Sequence, residues 1–305
     1  MPQPPDTRPA DTRPADTGVI HDIGYRGYTG PRLGRGYATR SLFIQSLRAA
    51  YGLGRSGKSK VLPMLLLGVV TVPAMIFVAA AVYLKRTELP VEYAGYLSSL
   101  SLVVSIFLAS QAPVMLSRDL RHHTVPLYFS RPITRADYVR AKFGAMACAQ
   151  FLLMAAPLLV LYVGALLAGM DFRHNTGQFF YGLVAAVLYS LVPTAVALVI
   201  AASTPRRGFG VAAIMGYLAV SSTVAAVVVG ISSPVYGQPS DSVQWTSLIS
   251  PNSLVEALVN ELFGLGDGID RRHAPGGIGV LVFALVAVAM VAGAYRILLR
   301  RYSRV

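Results

Sequence analysis

The sequence predicts an all-α membrane protein with six transmembrane helices, preceded by an amphipathic interfacial helix and carrying a short external helical segment between the fifth and sixth spans. Three observations carry that prediction. Of 305 residues, 54% are hydrophobic and 13% charged, with a mean hydropathy of +0.55, outside the range of soluble globular domains. Six apolar stretches each reach the ~20 residues that a helix rising ~1.5 Å per residue needs to cross ~30 Å of hydrocarbon. The charged residues lie between those stretches, with a sign that alternates from one side to the other.

Taken in order, residues 1–36 open with DTRPADTRPADTG, a repeated unit with no aliphatic side chain larger than alanine. Such a segment cannot offset the entropy of ordering, which predicts a disordered or irregular tail. It also lacks the apolar core of a signal peptide, so the amino terminus is expected to stay in the cytoplasm. Over residues 37–52, YATRSLFIQSLRAAYG sets Phe43, Leu47, Ala50 and Tyr51 at helical spacing, with Arg40, Gln45 and Arg48 falling elsewhere. That pattern predicts an amphipathic helix in the headgroup region.

The remaining chain, 53–305, reads as one six-helix transmembrane domain. Its spans fall at about 61–84, 94–116, 142–168, 178–203, 209–231 and 276–299. Pro73, Pro157 and Pro193 inside them are expected to kink their helices. The tail, the 117–142 loop, Arg206, Arg207 and the carboxyl terminus together hold 22 basic and six acidic residues, whereas the opposite loops hold five basic and eight acidic ones. The positive-inside rule then places both termini in the cytoplasm. The net charge of +13 becomes a topology signal and a patch for anionic lipid or a partner, and nucleic acid drops out as a ligand.

Away from their ends the spans contain no Asp, Glu, Lys, Arg or His; Gln111 and Gln150 are their most polar side chains. Ion-coupled transport needs a charged or titratable group at the midplane, and an intramembrane metalloprotease needs a ligand pattern such as H-E-x-x-H. Neither pattern is present. The five histidines lie in loops or the tail and suggest no metal site, and Cys148, as the only cysteine, cannot form an internal disulfide.

GLGRSGKS, with Gly52, Gly57, Lys58 and Ser59 at the required spacing, satisfies the phosphate-cradling pattern G-x-x-x-x-G-K-[ST]. That cradle works at the junction of a buried strand with a helix. Here an amphipathic helix precedes it and a membrane span follows, so it reads as a decoy: a flexible glycine elbow with Arg55, Lys58 and Lys60 against headgroups.

The polar connections are more informative. TPRRG, with Thr204, Pro205, Arg206 and Arg207, forms a tight hairpin between two spans. SRDLRHHTVPLYFSRPITRADYVRAKF, 117–143, mixes six basic residues with Asp119 and Asp137 around an apolar cluster of Val125, Leu127, Tyr128 and Phe129. Apolar anchors with a charged rim suit a docking element better than a solvated connection. Thr134, three residues before Asp137, resembles a capping box, which would start the third helix inside the cytoplasm. On the outer side, SPNSLVEALVNELFG predicts a short interfacial or re-entrant helix with Ser250 as cap, Pro251 first and Gly264 as terminator. Leu254, Ala257, Leu258, Leu262 and Phe263 would form its apolar side, and Glu256, Asn260 and Glu261 its polar one.

The LYFSRPITRADYVRAKF run, with its charged start at Arg118 and Asp119 and its place between the second and third of six helices, resembles the permease subunits of type-2 ABC transporters. The likeness covers about residues 37–303 and is sharpest at Ser130, Arg131, Pro132, Ile133, Thr134 and Arg135, with Tyr138 and Lys142 following. HDIGYRGYTGPRLGR, 21–35, looks like the pre-helix segment of actinobacterial members.

The resemblance implies a non-catalytic subunit of an ATP-driven, exporter-like transporter in a bacterial cytoplasmic (inner) membrane. ATP and Mg would be bound by a separate nucleotide-binding subunit, in two copies, and a second permease chain, identical or homologous, would complete the complex; this chain would hold no cofactor or metal. The main ATPase-coupling loop would comprise Arg118, Asp119, Arg121, His122, Leu127, Tyr128, Phe129, Arg131, Pro132, Arg135 and Asp137. Thr204 to Arg207 would form the minor one. The alternatives are a channel or membrane scaffold without an ATPase, a subunit that transmits mechanical work without cargo, and an embedded enzyme, which the lack of paired ionisable residues in the bundle disfavours.

Overall fold

A computed structural model describes residues 30, 33–54, 56–121, 125–129, 133–204, 206–232, 241–264 and 272–303. The chain divides into two units, Met1–Leu33 and Gly34–Val305, and the helices among the described residues lie in the second. Among the described residues, five helices are long and apolar enough to cross a membrane: α2 (Gly57–Tyr83), α7 (Arg135–Leu167), α8 (Phe172–Ser203), α9 (Arg207–Ser232) and α12 (Gly276–Ser303). The bent pair α3 (Tyr93–Ser99) and α4 (Ser101–Met115) is a sixth candidate crossing, broken in the middle. Between α4 and α7 lie α5 (Ser117–Arg121) and α6 (Val125–Phe129); between α9 and α12 lie α10 (Asp241–Gln244), a 3-10 turn (Trp245–Ile249) and α11 (Pro251–Phe263). The leading helix α1 spans Arg35–Ala50.

The neighbouring registers fix the directions. Tyr162 of α7 stacks on Phe179 of α8 at 4.6 Å, and Leu158 lies against Gly182, so these two run antiparallel. Tyr93 reaches Asn175 at 3.0 Å while Ser117 reaches the Ala201 carbonyl at 2.9 Å, so α3–α4 runs with α8. Tyr138 of α7 meets Tyr302 of α12, bringing the start of one and the end of the other to the same end of the bundle. That end carries α1, both polar connections and most of the arginines; it is the basic end, and the other is the far end.

The structure departs from the sequence reading in four places. A 58° bend that the sequence does not predict falls at Leu100, where there is no proline, and the helices carrying Pro73, Pro157 and Pro193 continue past them. Ser98 and Ser99 donate to the Gly95 and Tyr96 carbonyls at 2.8 and 2.6 Å, competing with the amides that would continue the helix.

The apolar side of α1 is covered by protein. Arg35 bonds Asp137, Phe43 lies against Gly144 and Tyr51 donates to the Ala149 carbonyl at 2.7 Å. These contacts advance in step, so α1 runs alongside α7 in the same direction, a packing onto a span that the amphipathic pattern alone does not predict.

The elbow after α1 is tight rather than flexible. Gly52 and Gly54 adopt φ of 67° and 82°, and a Cβ on Gly52 would stand 2.4 Å from the Ser59 carbonyl oxygen.

The fourth departure is α11. It starts at Pro251 and ends at left-handed Gly264, with Ser250 in the N-cap position as expected, but the Ser250 side chain makes no cap bond: its hydroxyl pairs with Ser222 at 2.9 Å. Residues Pro251–Val255 and Ala257–Asn260 are buried against α8, α9, α12 and α3, including Asn260 on the presumed polar side, while Leu262 is exposed. A helix buried on nearly all sides carries Glu256 into the bundle, where Arg272 stands 3.8 Å away. The expectation of a bundle without paired ionisable residues is thereby corrected.

Candidate functional site

The basic end is organised around the first two turns of α7. Thr134 caps that helix by the predicted box: its hydroxyl accepts from the Asp137 amide at 3.3 Å, and the Asp137 carboxylate accepts from the Thr134 amide at 3.1 Å. At 33 residues α7 is about 50 Å long, well beyond a ~30 Å hydrocarbon core, so this first turn projects outside it. Arg35 of α1 closes on the same carboxylate through two guanidinium nitrogens and donates to the Thr134 hydroxyl at 2.8 Å. That bidentate contact holds the Asp137 carboxyl well below the usual carboxylate range.

One turn later, Tyr138 is fully buried. Its hydroxyl donates to Asp119 of α5 at 2.9 Å, and Lys142 pairs with the same carboxylate at 2.8 Å. Lys142 is 9% and Asp119 15% exposed, so this pair ties α5 to α7 with little solvent screening. The Tyr138 ring is packed by Tyr128 at 5.6 Å, Phe129 at 6.2 Å and Tyr302 at 5.0 Å. Arg140 adds a bond to the Tyr295 hydroxyl at 3.2 Å, a second tie between the end of α12 and α7.

The predicted loop residues therefore divide. Tyr128 and Phe129 face inward onto Tyr138, and Asp119 and Asp137 are engaged within the chain. Leu127, 67% exposed, remains as an outward apolar anchor, flanked by exposed Arg121 and Arg135, the latter 5.9 Å over the Phe129 ring. His122, Arg131 and Pro132 lie outside the described residues, as do the Arg118 side chain, Ser130, Pro205 and most of the 21–35 segment.

At the second connection Thr204 turns back to the Ile200 carbonyl at 3.0 Å and sits against Gly210, while Arg206 and Arg207 are exposed. Ser117, at the start of α5, bonds the Ala201 carbonyl, joining the two connections. The sequence reading missed Arg35 and Tyr302, because each acts on a residue some hundred or more positions away and carries no local signal.

Around Gly52–Ser59, helix α1 occupies the place where a phosphate cradle needs a strand. Gly57, Lys58 and Ser59 form the first turn of α2, and Ser59 donates to the Ser56 carbonyl at 2.8 Å. Among the described residues no group of three or more His, Cys, Asp or Glu could hold a metal.

A helical bundle with several membrane-length apolar helices and two polar connections tied to each other at one end is a multi-pass membrane protein. The family described as ABC-2 family transporter protein matches residues 83–296, and the chain belongs to it. It is a permease subunit of a type-2 ABC transporter. No curated protein matches the chain.

Proposed function

We propose that the basic end is the cytoplasmic docking face for a separate ABC ATPase, and that the chain converts that partner's nucleotide cycle into opening of an export pathway. Both termini are then cytoplasmic, in a bacterial inner membrane. The complex holds two ATPase subunits, which bind ATP and Mg, and two permease chains. The observation that supports this reading is the bracing of the 117–143 connection. Leu127, Arg121 and Arg135 point outward, while Asp119, Lys142 and Tyr138 fix the same segment to α7, which continues across the membrane. A push on the exposed residues is therefore delivered to a span, the requirement for a switch that a partner biases. Ser117 carries part of the same push to α8.

The test is purification of the membrane complex from detergent. A nucleotide-binding protein should accompany this chain in equal amount; its absence would favour a channel or scaffold. Leu127→Asp should release that partner while insertion stays normal. Charge reversal of Arg118, Arg121 and Arg135 together should separate ATP turnover from transport, and full transport by that triple variant would refute the coupling role. ATP turnover that proceeds without any cargo would instead favour mechanical transmission to another protein.

A further inference from the structure

The middle of the bundle gathers several buried polar side chains that have no hydrogen-bond partner. Gln150 is fully buried and neither its amide oxygen nor its nitrogen has a partner; Tyr189 Oη, Thr194 Oγ1 and Asn252 Oδ1 are also buried and unpaired. An unsatisfied buried group carries its full desolvation penalty, and native interiors hold few of them.

These groups share one layer. The α7–α8 register, set by Tyr162 with Phe179 and Leu158 with Gly182, puts Gln150 opposite Tyr189 and Ser190. On the other side of α8, Phe263 of α11 stacks on Tyr181 at 4.7 Å and Glu256 lies within electrostatic reach of Tyr189. Asn252, one turn before Glu256, therefore falls level with the turn that carries Thr194. Tyr189 sits at the middle of the 32-residue α8, so the layer is at mid-depth. The amino-terminal end of α11 points into it without a side-chain cap.

Toward the far end, the layer is bordered by Glu256 and Arg272, which are 28% and 17% exposed and so reach the surface. Their charges offset each other, so the layer has no net charge with which to hold an ion. Its amides and hydroxyls both donate and accept.

We propose that Gln150, Tyr189, Thr194, Asn252 and Glu256 line a hydrated polar site at the middle of the bundle, reached from the far end past Arg272, that takes uncharged hydrogen-bonding groups such as hydroxyls and amides. In a translocating complex this site holds the hydroxyl- or amide-bearing part of the cargo. That assignment rests on the transport reading; the hydration and the access route do not.

Accessibility of single cysteines tests the site, with Cys148→Ser as the background. A membrane-impermeant cationic methanethiosulfonate is applied to membrane vesicles of each orientation and the adduct is read by mass. Thr194→Cys should gain one adduct with the far end facing the reagent, as Arg173→Cys at that surface does, while the buried Leu198→Cys one turn away should gain none. Glycerol in excess should slow labelling of Thr194→Cys and leave Arg173→Cys unchanged.

Asn252→Cys is the second variant should Thr194→Cys fail to insert. No adduct at either position, equal labelling of Leu198→Cys, or faster labelling from the basic end would overturn the site or its access route. Labelling that glycerol leaves unchanged would overturn the ligand class. None of these measurements needs the ATPase, so their failure is distinct from failure of the coupling proposal.

Discussion

Gly52 shows how one side chain's absence builds a local structure. With φ at 67° and the Ser59 carbonyl 2.4 Å from any added Cβ, this position admits glycine alone. Gly52→Ala should lower the thermal unfolding temperature in detergent, since the left-handed strain by itself is about 1–2 kcal/mol and the clash adds to it. Gly54→Ala, at φ 82° with open space around it, should show the strain without the clash and a smaller drop. Asp137 is the counterpart among charged residues. Because Arg35 depresses its pKa, the stabilisation is fully present above the ordinary carboxylate value of ~3.9 and is lost as pH falls through the lower folded value. Asp137→Asn should therefore speed hydrogen exchange across residues 35–50 at neutral pH, with the difference from the parent chain closing in strong acid.

At the scale of elements, most of the helices were legible because apolar runs longer than ~20 residues admit few alternatives in a membrane. Their boundaries moved where local chemistry intervened. The break at Leu100 comes from two serines bonding back to carbonyls, a signal that hydropathy does not weigh. Replacing Ser98 and Ser99 with alanine should reduce the 58° bend, measurable as a longer spin-label distance between Tyr93 and Met115. The contact of α2 with α7 depends on Gly164, where an added Cβ would stand 2.5 Å from Val78. Gly164→Leu should separate these two spans and lower stability, the usual penalty for enlarging a small residue at a membrane helix interface. For α11 the sequence reading placed both ends and allowed a re-entrant helix, but it put Asn260 on a polar side that the structure buries and Leu262 on an apolar side that it exposes. A Pro251 start and a Gly264 stop are local signals, but which faces are covered depends on helices remote in sequence.

For the whole molecule, the coupling proposal assigns nucleotide to another chain. Lys58→Ala should then leave ATP turnover of the complex unchanged, and loss of nucleotide binding with an unmutated partner would return the GLGRSGKS stretch to consideration. Composition, span length and charge asymmetry determined the class of protein by themselves, because water and hydrocarbon sort residues by polarity whatever the fold. The motif around Ser130–Arg135 was likewise legible in sequence. Which loop residues face outward was not: Tyr128 and Phe129 turn inward because Tyr138 is there to receive them, and Tyr138 is held by Asp119 and by Tyr302 from the far end of the chain. Only the tertiary structure decided that α1 lies along α7, that both helical ends of the chain clamp the first turns of that helix, and that α11 brings Glu256 to mid-bundle beside Tyr189. These are pairings between residues far apart in sequence, and their energy exists only once the helices are packed.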